Sequence, residues 1–216
     1  MKGSPHVLTR QLRSGICIVL NRPDKINSLT EVMIDQINDL LNQALGDNRC
    51  RFVLFYSTSP KGFCAGGDMK ELARLGSLKN YEKVDSFFSK EYGLDLKIHQ
   101  FPKTVIVLAD GITMGGGLGI SAGASISIAT ERTRMAMPET RIGFFPDVGS
   151  TGWMFSRCPK GYPEYLGLTG YHMNGIDCVR LGFATHFVKS ECLAEVLDVL
   201  ENAELGSQGS KQEINK

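Results

Sequence analysis

An α/β fold is predicted by three features of the sequence. Short runs of strand-forming residues alternate with segments of helical periodicity. Two glycine clusters each follow one of those runs and precede a helical segment. No internal repeat or interdomain linker interrupts the 216 residues, so one domain, or one domain with an appendage, is expected. Residues 1–190 are assigned to that domain and residues 191–216 to a C-terminal helix and polar tail.

The elements follow in order. Residues 16–20 (ICIVL) form an apolar run closed by the breaker Asn21-Arg22-Pro23-Asp24. Ser28 and Glu31 have the form of a capping box. Behind them Met33, Ile37, Leu40, Leu41 and Ala44 recur at helical spacing. Residues 51–57 (RFVLFYS) are β-branched and aromatic, which predicts a buried strand, and residues 61–68 (KGFCAGGD) are a glycine loop. Helices are expected over 69–75 and 81–100, the second ended by Phe101-Pro102. A second buried strand, 104–109 (TVIVLA), leads through Asp110-Gly111 to Gly115-Gly116-Gly117, and small residues continue to Gly123. Strands are expected at 125–129, 134–137 and 184–188, with loop and short helices over 149–182. Residues 192–205 read as an amphipathic helix and 206–216 as a polar, frayed end.

Composition narrows the class. A hydrophobic fraction of 42% and a charged fraction of 22% are ordinary for a globular chain, and this length buries a core without disulfides. A net charge of +1 builds no field for nucleic acid or anionic membrane. The six cysteines (Cys17, Cys50, Cys64, Cys158, Cys178, Cys192) contain no C-x-x-C pair, and none of the four histidines offers a close second ligand. No metal site is therefore expected. Scattered cysteines indicate a reducing compartment. Residues 1–13 are too polar for a signal peptide, and no apolar run is long enough to cross a bilayer. The expected location is the cytoplasm, or the mitochondrial matrix in a eukaryote.

The glycine loops carry the first functional signal. Glycine lets a ligand approach the main chain, and a helix start leaves N–H groups unpaired. Two such groups converging on one point make an oxyanion site; two tight turns are the alternative reading. Neither loop has the phosphate-loop or dinucleotide pattern.

Four blocks, taken together, resemble the crotonase (enoyl-CoA hydratase/isomerase) superfamily in order and spacing. They are Asn21-Arg22-Pro23-Asp24-Lys25-Ile26-Asn27-Ser28-Leu29, Phe63-Cys64-Ala65-Gly66-Gly67-Asp68, Asp110-Gly111-Ile112-Thr113-Met114-Gly115-Gly116-Gly117, and residues 138–149 (PETRIGFFPDVG). Met137-Pro138-Glu139-Thr140, Phe145-Pro146-Asp147-Val148-Gly149, Leu168-Thr169-Gly170 and Ala184-Thr185-His186-Phe187-Val188 are most similar to the 3-hydroxyisobutyryl-CoA hydrolase branch. The resemblance implies a spiral of ββα units, an acyl-CoA substrate, no separate cofactor, and a homo-oligomer. It implies that the Gly67 and Gly116 N–H groups form an oxyanion hole. Glu139 is then expected to attack the thioester or direct water at it, with Asp147 as acid/base or substrate-hydroxyl ligand. Lys25, Ile26, Asn27, Asp68 and Met69 are expected to cradle coenzyme A, Lys25 as a phosphate partner. Asp68 also reads as a loop-fixing cap. Glu91 matches a glutamate near the substrate, against the alternative of a solvated helix charge.

Two carboxylates beside an apolar patch can divide their duties, one neutral and one ionised. Cys64 lacks an activating neighbour and reads as packing, as do Trp153 and Phe155; His186 reads as structural. Hydratases of the superfamily carry two glutamates; Glu139 matches one, and Gly119 stands at the other. Thioester hydrolysis is therefore expected over enoyl hydration or isomerisation, with a weakly active acyl-CoA-binding protein as a third reading. Ser150-Thr151 departs from the hydrolase pattern, in which a further glycine follows Asp-Val-Gly. The segment after Val188 is short for that branch, so weak turnover of an uncovered site is expected.

Overall fold

The runs expected at 16–20, 51–57 and 104–109 lie side by side at the centre of one parallel sheet. A computed structural model of the protein describes residues 5–204. Its order begins β1 (Val7–Gln11), β2 (Gly15–Leu20), α1 (Glu31–Gly46), β3 (Phe52–Ser57), β4 (Gly62–Cys64), α2 (Met69–Ser77) and α3 (Tyr81–His99). It continues β5 (Thr104–Leu108), β6 (Ile112–Met114), α4 (Gly116–Gly123), β7 (Ile126–Ala129) and β8 (Arg134–Ala136). After a 3-10 turn at Glu139–Ile142 come α5 (Ser150–Arg157), α6 (Tyr162–Thr169), β9 (Met173–Asn174), α7 (Gly175–Arg180), β10 (His186–Phe187) and α8 (Leu193–Asn202).

Consecutive strand pairs divide between two sheets. β3, β5 and β7 join a six-stranded sheet of order β1-β2-β3-β5-β7-β10, whereas β4, β6 and β8 join a four-stranded sheet of order β4-β6-β8-β9. Among the described residues, only the β1–β2 and β8–β9 pairings are antiparallel. Each turn of the chain thus adds one strand to each sheet before a helix returns, which is a winding of ββα units. β2, β3 and β5 are buried along most of their length, as parallel strands covered on both faces must be. One face meets Met33, Ile37 and Leu41 of α1 and Leu94 and Ile98 of α3. The other meets Leu193, Val196, Leu197 and Leu200 of α8.

Several sequence expectations change. α1 is capped by Thr30, whose Oγ1 accepts from the Met33 N–H at 3.3 Å. Ser28 instead accepts from the Arg22 guanidinium at 2.9 Å, because Leu29 bridges to Gly67 and delays the helix start to Glu31. Four strands went unread, among them the two-residue β9 within the segment expected to hold loop and short helices. β1 is an exposed edge, and β4 and β6 are three-residue strands within glycine-rich segments. The last strand shrinks to His186–Phe187. Trp153 packs edge-on against Phe183, with centroids 5.1 Å apart, but Phe155 is exposed. The polar end expected at 206–216 lies outside the described residues. No helix of the described residues is long and apolar enough to cross a membrane.

Candidate active site

Topology brings the two glycine loops together. β4 and β6 are parallel neighbours, and each runs directly into a glycine segment and then a helix, α2 or α4. Adjacent parallel strands ending at the same level start their helices side by side, so unpaired N–H groups converge. Gly115, at φ 49°, turns the chain into α4, leaving Gly116 as its first residue. Among the described residues, neither the Gly67 nor the Gly116 N–H donates a hydrogen bond.

A cavity of about 350 Å³ opens onto these amides, lined among others by Gly67, Met69, Glu91, Gly116, Glu139 and Asp147. Its apolar wall is Phe88 stacked on Phe144 at 5.4 Å. Six of the ten residues singled out in the sequence therefore share one cavity. Lys25, Ile26, Asn27 and Asp68 do not line it, and three of them brace its floor. Asn27 is fully buried; its Nδ2 donates to the Phe63 carbonyl at 2.8 Å, and its Oδ1 accepts from the Arg22 N–H at 2.7 Å. The Ile26 carbonyl accepts from the Ala65 N–H at 2.9 Å, so it is already engaged. Asp68 caps α2 through the Glu71 N–H at 3.3 Å and pairs with Arg22 at 2.8 Å. These contacts hold the Gly66–Gly67 loop at a fixed height against α4.

The carboxyl groups are the unusual feature. Glu91 is 2% exposed, which excludes the solvated-charge reading. Its Oε1 has no hydrogen-bond partner and occupies the space a Cβ on Gly116 would need. Burial, with Asp147 and then Glu139 beside it, pushes its carboxyl up to about 8. Glu139, on the 3-10 turn after β8, is pushed up to about 7 by burial, opposed by its own backbone N–H and assisted by the charge of Asp147. Its Oε2 is also unpartnered. Asp147 is raised by burial too, but the Tyr92 hydroxyl donates to its Oδ2 at 2.9 Å and favours the ionised form. Two nearby acids thus differ in environment, Asp147 holding a side-chain donor that Glu139 lacks. Cys64 is wholly buried and its thiol is pushed up to about 12, so it packs and does not react. His186 sits at the sheet edge against Thr185.

Sequence reasoning missed Tyr92, Asp95, Phe88, Phe144 and His172. Tyr92 and Asp95 lie one and four residues after Glu91 on α3. The i, i+4 pair Glu91/Asp95 was a readable signal of one helix face; its burial was not readable.

Comparisons with known proteins agree on the family and the fold. A family model described as Enoyl-CoA hydratase/isomerase matches residues 16–216. The mitochondrial 3-hydroxyisobutyryl-CoA hydrolase of Danio rerio is 40% identical over 190 residues, which cover 88% of this chain and 49% of that protein. The Homo sapiens enzyme of the same name is 41% identical over 177 residues, 82% of this chain and 45% of that one. Among solved structures, a carnitinyl-CoA dehydratase from Mycobacterium thermoresistibile matches with TM-score 0.88 at 34% identity, over 92% of this chain and 58% of that chain. An enoyl-CoA hydratase from Rhodobacter sphaeroides 2.4.1 matches with TM-score 0.87 at 34% identity, over 97% and 65%. The chain spans about half the length of the curated relatives it matches.

Proposed function

The chain belongs to the enoyl-CoA hydratase/isomerase family, and from that premise we propose that it hydrolyses the thioester of 3-hydroxyisobutyryl-CoA or a similar short 3-hydroxyacyl-CoA. The observation that carries this reading is the convergence of two undonated amides, Gly67 and Gly116, on the cavity that holds Glu139. A thioester carbonyl whose oxygen faces both amides presents its carbon to the Glu139 carboxylate.

Ionised Glu139 takes a proton from a water molecule, and the water oxygen bonds to the carbonyl carbon. The π electrons move to the carbonyl oxygen, where the two N–H groups hold the charge; one such donor is worth ~2.7–4 kcal/mol. Collapse of this intermediate breaks the carbon–sulfur bond, and the proton held by Glu139 passes to the departing sulfur. Direct addition of Glu139 to the carbon, followed by hydrolysis of the mixed anhydride, yields the same acid and thiol. An acid titrating near 7 suits either role, since it exchanges a proton at working pH. Asp147, held by Tyr92, assists proton transfer at the thioester. Met69 touches the acyl-CoA as it enters the cavity, and Lys25 meets a phosphate of the nucleotide outside it. Coenzyme A is part of the substrate, and no separate cofactor is proposed.

Hydration of an enoyl-CoA is the competing reading. It is disfavoured by Gly119, where a Cβ would lie 2.8 Å from both Val148 Cβ and Asp95 Oδ1. A glutamate projecting from that position does not fit. Self-association is proposed to complete the cover of the site, because Ile142 and Phe145, large apolar side chains at its rim, are 62% and 59% exposed. The compartment proposed is the mitochondrial matrix, after the names of the relatives.

The test is thiol release from 3-hydroxyisobutyryl-CoA by the native sequence and by Glu139→Gln. Release that falls by orders of magnitude in the variant, with coenzyme A binding retained, supports the reading. Equal rates in both proteins overturn it.

A further inference from the structure

α3 and α4 approach closely because glycine lines one face of α4. Cβ atoms at Gly116, Gly119 and Gly123 would each run into α3, respectively into Glu91, Asp95 and the His99 backbone. Glu91 and Asp95 are one turn apart on α3, and Gly116 and Gly119 nearly one turn apart on α4. The two carboxyl groups therefore lie in sequence along α4. Glu91 sits beside the amide of the oxyanion hole; Asp95 sits one step deeper, in the space that a side chain at position 119 would fill.

Asp95 is 7% exposed, and neither carboxyl oxygen has a hydrogen-bond partner among the described residues. Buried polar atoms are nearly always paired, and an unpaired one is costly. Packing does not explain this group, since an apolar side chain of that size would fill the space at lower cost. Asp95 does not line the cavity of the two amides; it lines a second, larger and more open one of about 740 Å³. Asp147 lines both cavities and is the wall they share.

We propose that Asp95 is a specificity-determining residue, whose carboxyl hydrogen-bonds a hydroxyl on the third carbon of the acyl group bound at the oxyanion hole. This rests on the acyl-CoA reading above and extends it to how the acyl group is recognised. The dimensions agree. Three residues at ~1.5 Å rise place Gly119 ~4.5 Å beyond Gly116 along α4. Two C–C bonds and one C–O bond of about 1.5 Å each place a 3-hydroxyl up to ~3.8 Å through space from a thioester carbonyl carbon, and a hydrogen bond of ~2.8 Å carries the reach beyond that step. The carboxyl is also in a suitable state. Burial, with Glu91 and then Asp147 beside it, holds it well above the usual carboxylate range. It meets the hydroxyl as a neutral acid with one donor and one acceptor. An acyl group without the hydroxyl leaves both oxygens unpaired, and a site built this way rejects such an analogue. A water molecule resting on Asp95 is the competing account, and it predicts no dependence on the acyl group.

The experiment measures binding, so it does not depend on turnover. Glu139→Gln protein is titrated calorimetrically with 3-hydroxyisobutyryl-CoA and with isobutyryl-CoA, alone and combined with Asp95→Leu, Asp95→Ala or Asp95→Asn. Each protein must show a cooperative thermal transition; Asp95→Ala only removes atoms and serves where the leucine does not fold. The expected result is a preference for the hydroxylated ligand of roughly tenfold or more. It falls to near one in Asp95→Leu and Asp95→Ala and survives in Asp95→Asn, which keeps a donor and an acceptor. A ratio unchanged by Asp95→Leu and Asp95→Ala overturns the proposal, as does a ratio near one before Asp95 is altered or no binding of either ligand. If the ratio behaves as expected while the native sequence releases no thiol, the hydrolase reading fails and this assignment stands.

Discussion

Replacing Glu91 with Gln tests whether the fold holds an uncharged acid beside the Gly116 amide. The carboxyl sits at about 8 in the folded chain, against an ordinary 4.5. Between those values the folded protein keeps a proton that the unfolded chain has released. Its contribution to stability is therefore intact below pH ~4.5, declines as pH rises toward ~8, and levels off above that. At ~1.4 kcal/mol per tenfold change in proton affinity, the full decline is on the order of 5 kcal/mol. Glutamine has nearly the same shape and no titration, so it abolishes this decline. Its NH₂ group finds no acceptor where Oε1 now lies unpartnered, a penalty of about 1–3 kcal/mol that is independent of pH. Urea unfolding of both proteins, followed by far-ultraviolet circular dichroism from pH 5 to pH 9, reads the difference. Glu91→Gln is expected to be the less stable protein at pH 5 and the more stable at pH 9. Glu139 and Asp147 titrate in both proteins and largely cancel; Asp95, whose proton affinity Glu91 helps to raise, releases its proton at lower pH in the variant and adds to the difference in the same direction. Stability curves that stay parallel within about 1 kcal/mol across this range would refute the buried, neutral Glu91.

Further outcomes are expected. kcat/KM should rise about tenfold per pH unit below ~7 and level off above it, as Glu139 ionises. In Asp147→Asn that limb should move to lower pH, because the charge that raises Glu139 is gone; an unmoved limb rules out Glu139 as the titrating base. Gly116→Pro deletes one oxyanion donor, but its Cβ would land on Glu91 Oε1, so the comparison is made within Glu91→Ala protein. There it should cost ~10²–10³ in kcat, and retained turnover in a natively folded double variant removes Gly116 from the hole. Gly119→Glu should unfold at lower temperature without gaining crotonyl-CoA hydration, since its Cβ crowds Val148 and Asp95 at 2.8 Å; measurable loss of enoyl absorbance contradicts this. Specific activity should be low in dilute protein and rise with concentration as copies cover Ile142 and Phe145; full activity in a chain shown by sedimentation to be monomeric excludes that cover.

What the sequence determined by itself were the features set by neighbours along the chain. The central strands β2, β3 and β5 were legible because parallel strands covered on both faces are continuous apolar runs. The glycine loops were legible because the chain must turn tightly after β4 and β6 and leave amides bare, as at Gly115, where φ is 49°. Glu139 and Asp147 were proposed as a pair through the resemblance of the 138–149 block to the crotonase superfamily. Thr30 displaced Ser28 as the cap of α1 because a bridge to a segment some forty residues distant, Leu29 to Gly67, set where the helix begins. β4 and β6 hid within glycine-rich segments because a three-residue strand exists only through its partner strand. The charge states were the furthest from reach. Nothing within a few residues of Glu91 or Asp95 marks them off from surface carboxylates on an exposed helix. Their proton affinities follow from desolvation and from acids brought in on other elements, Glu139 after β8 and Asp147 before α5. The close approach of α3 to the glycine face of α4 buries them, and only the folded chain contains that contact.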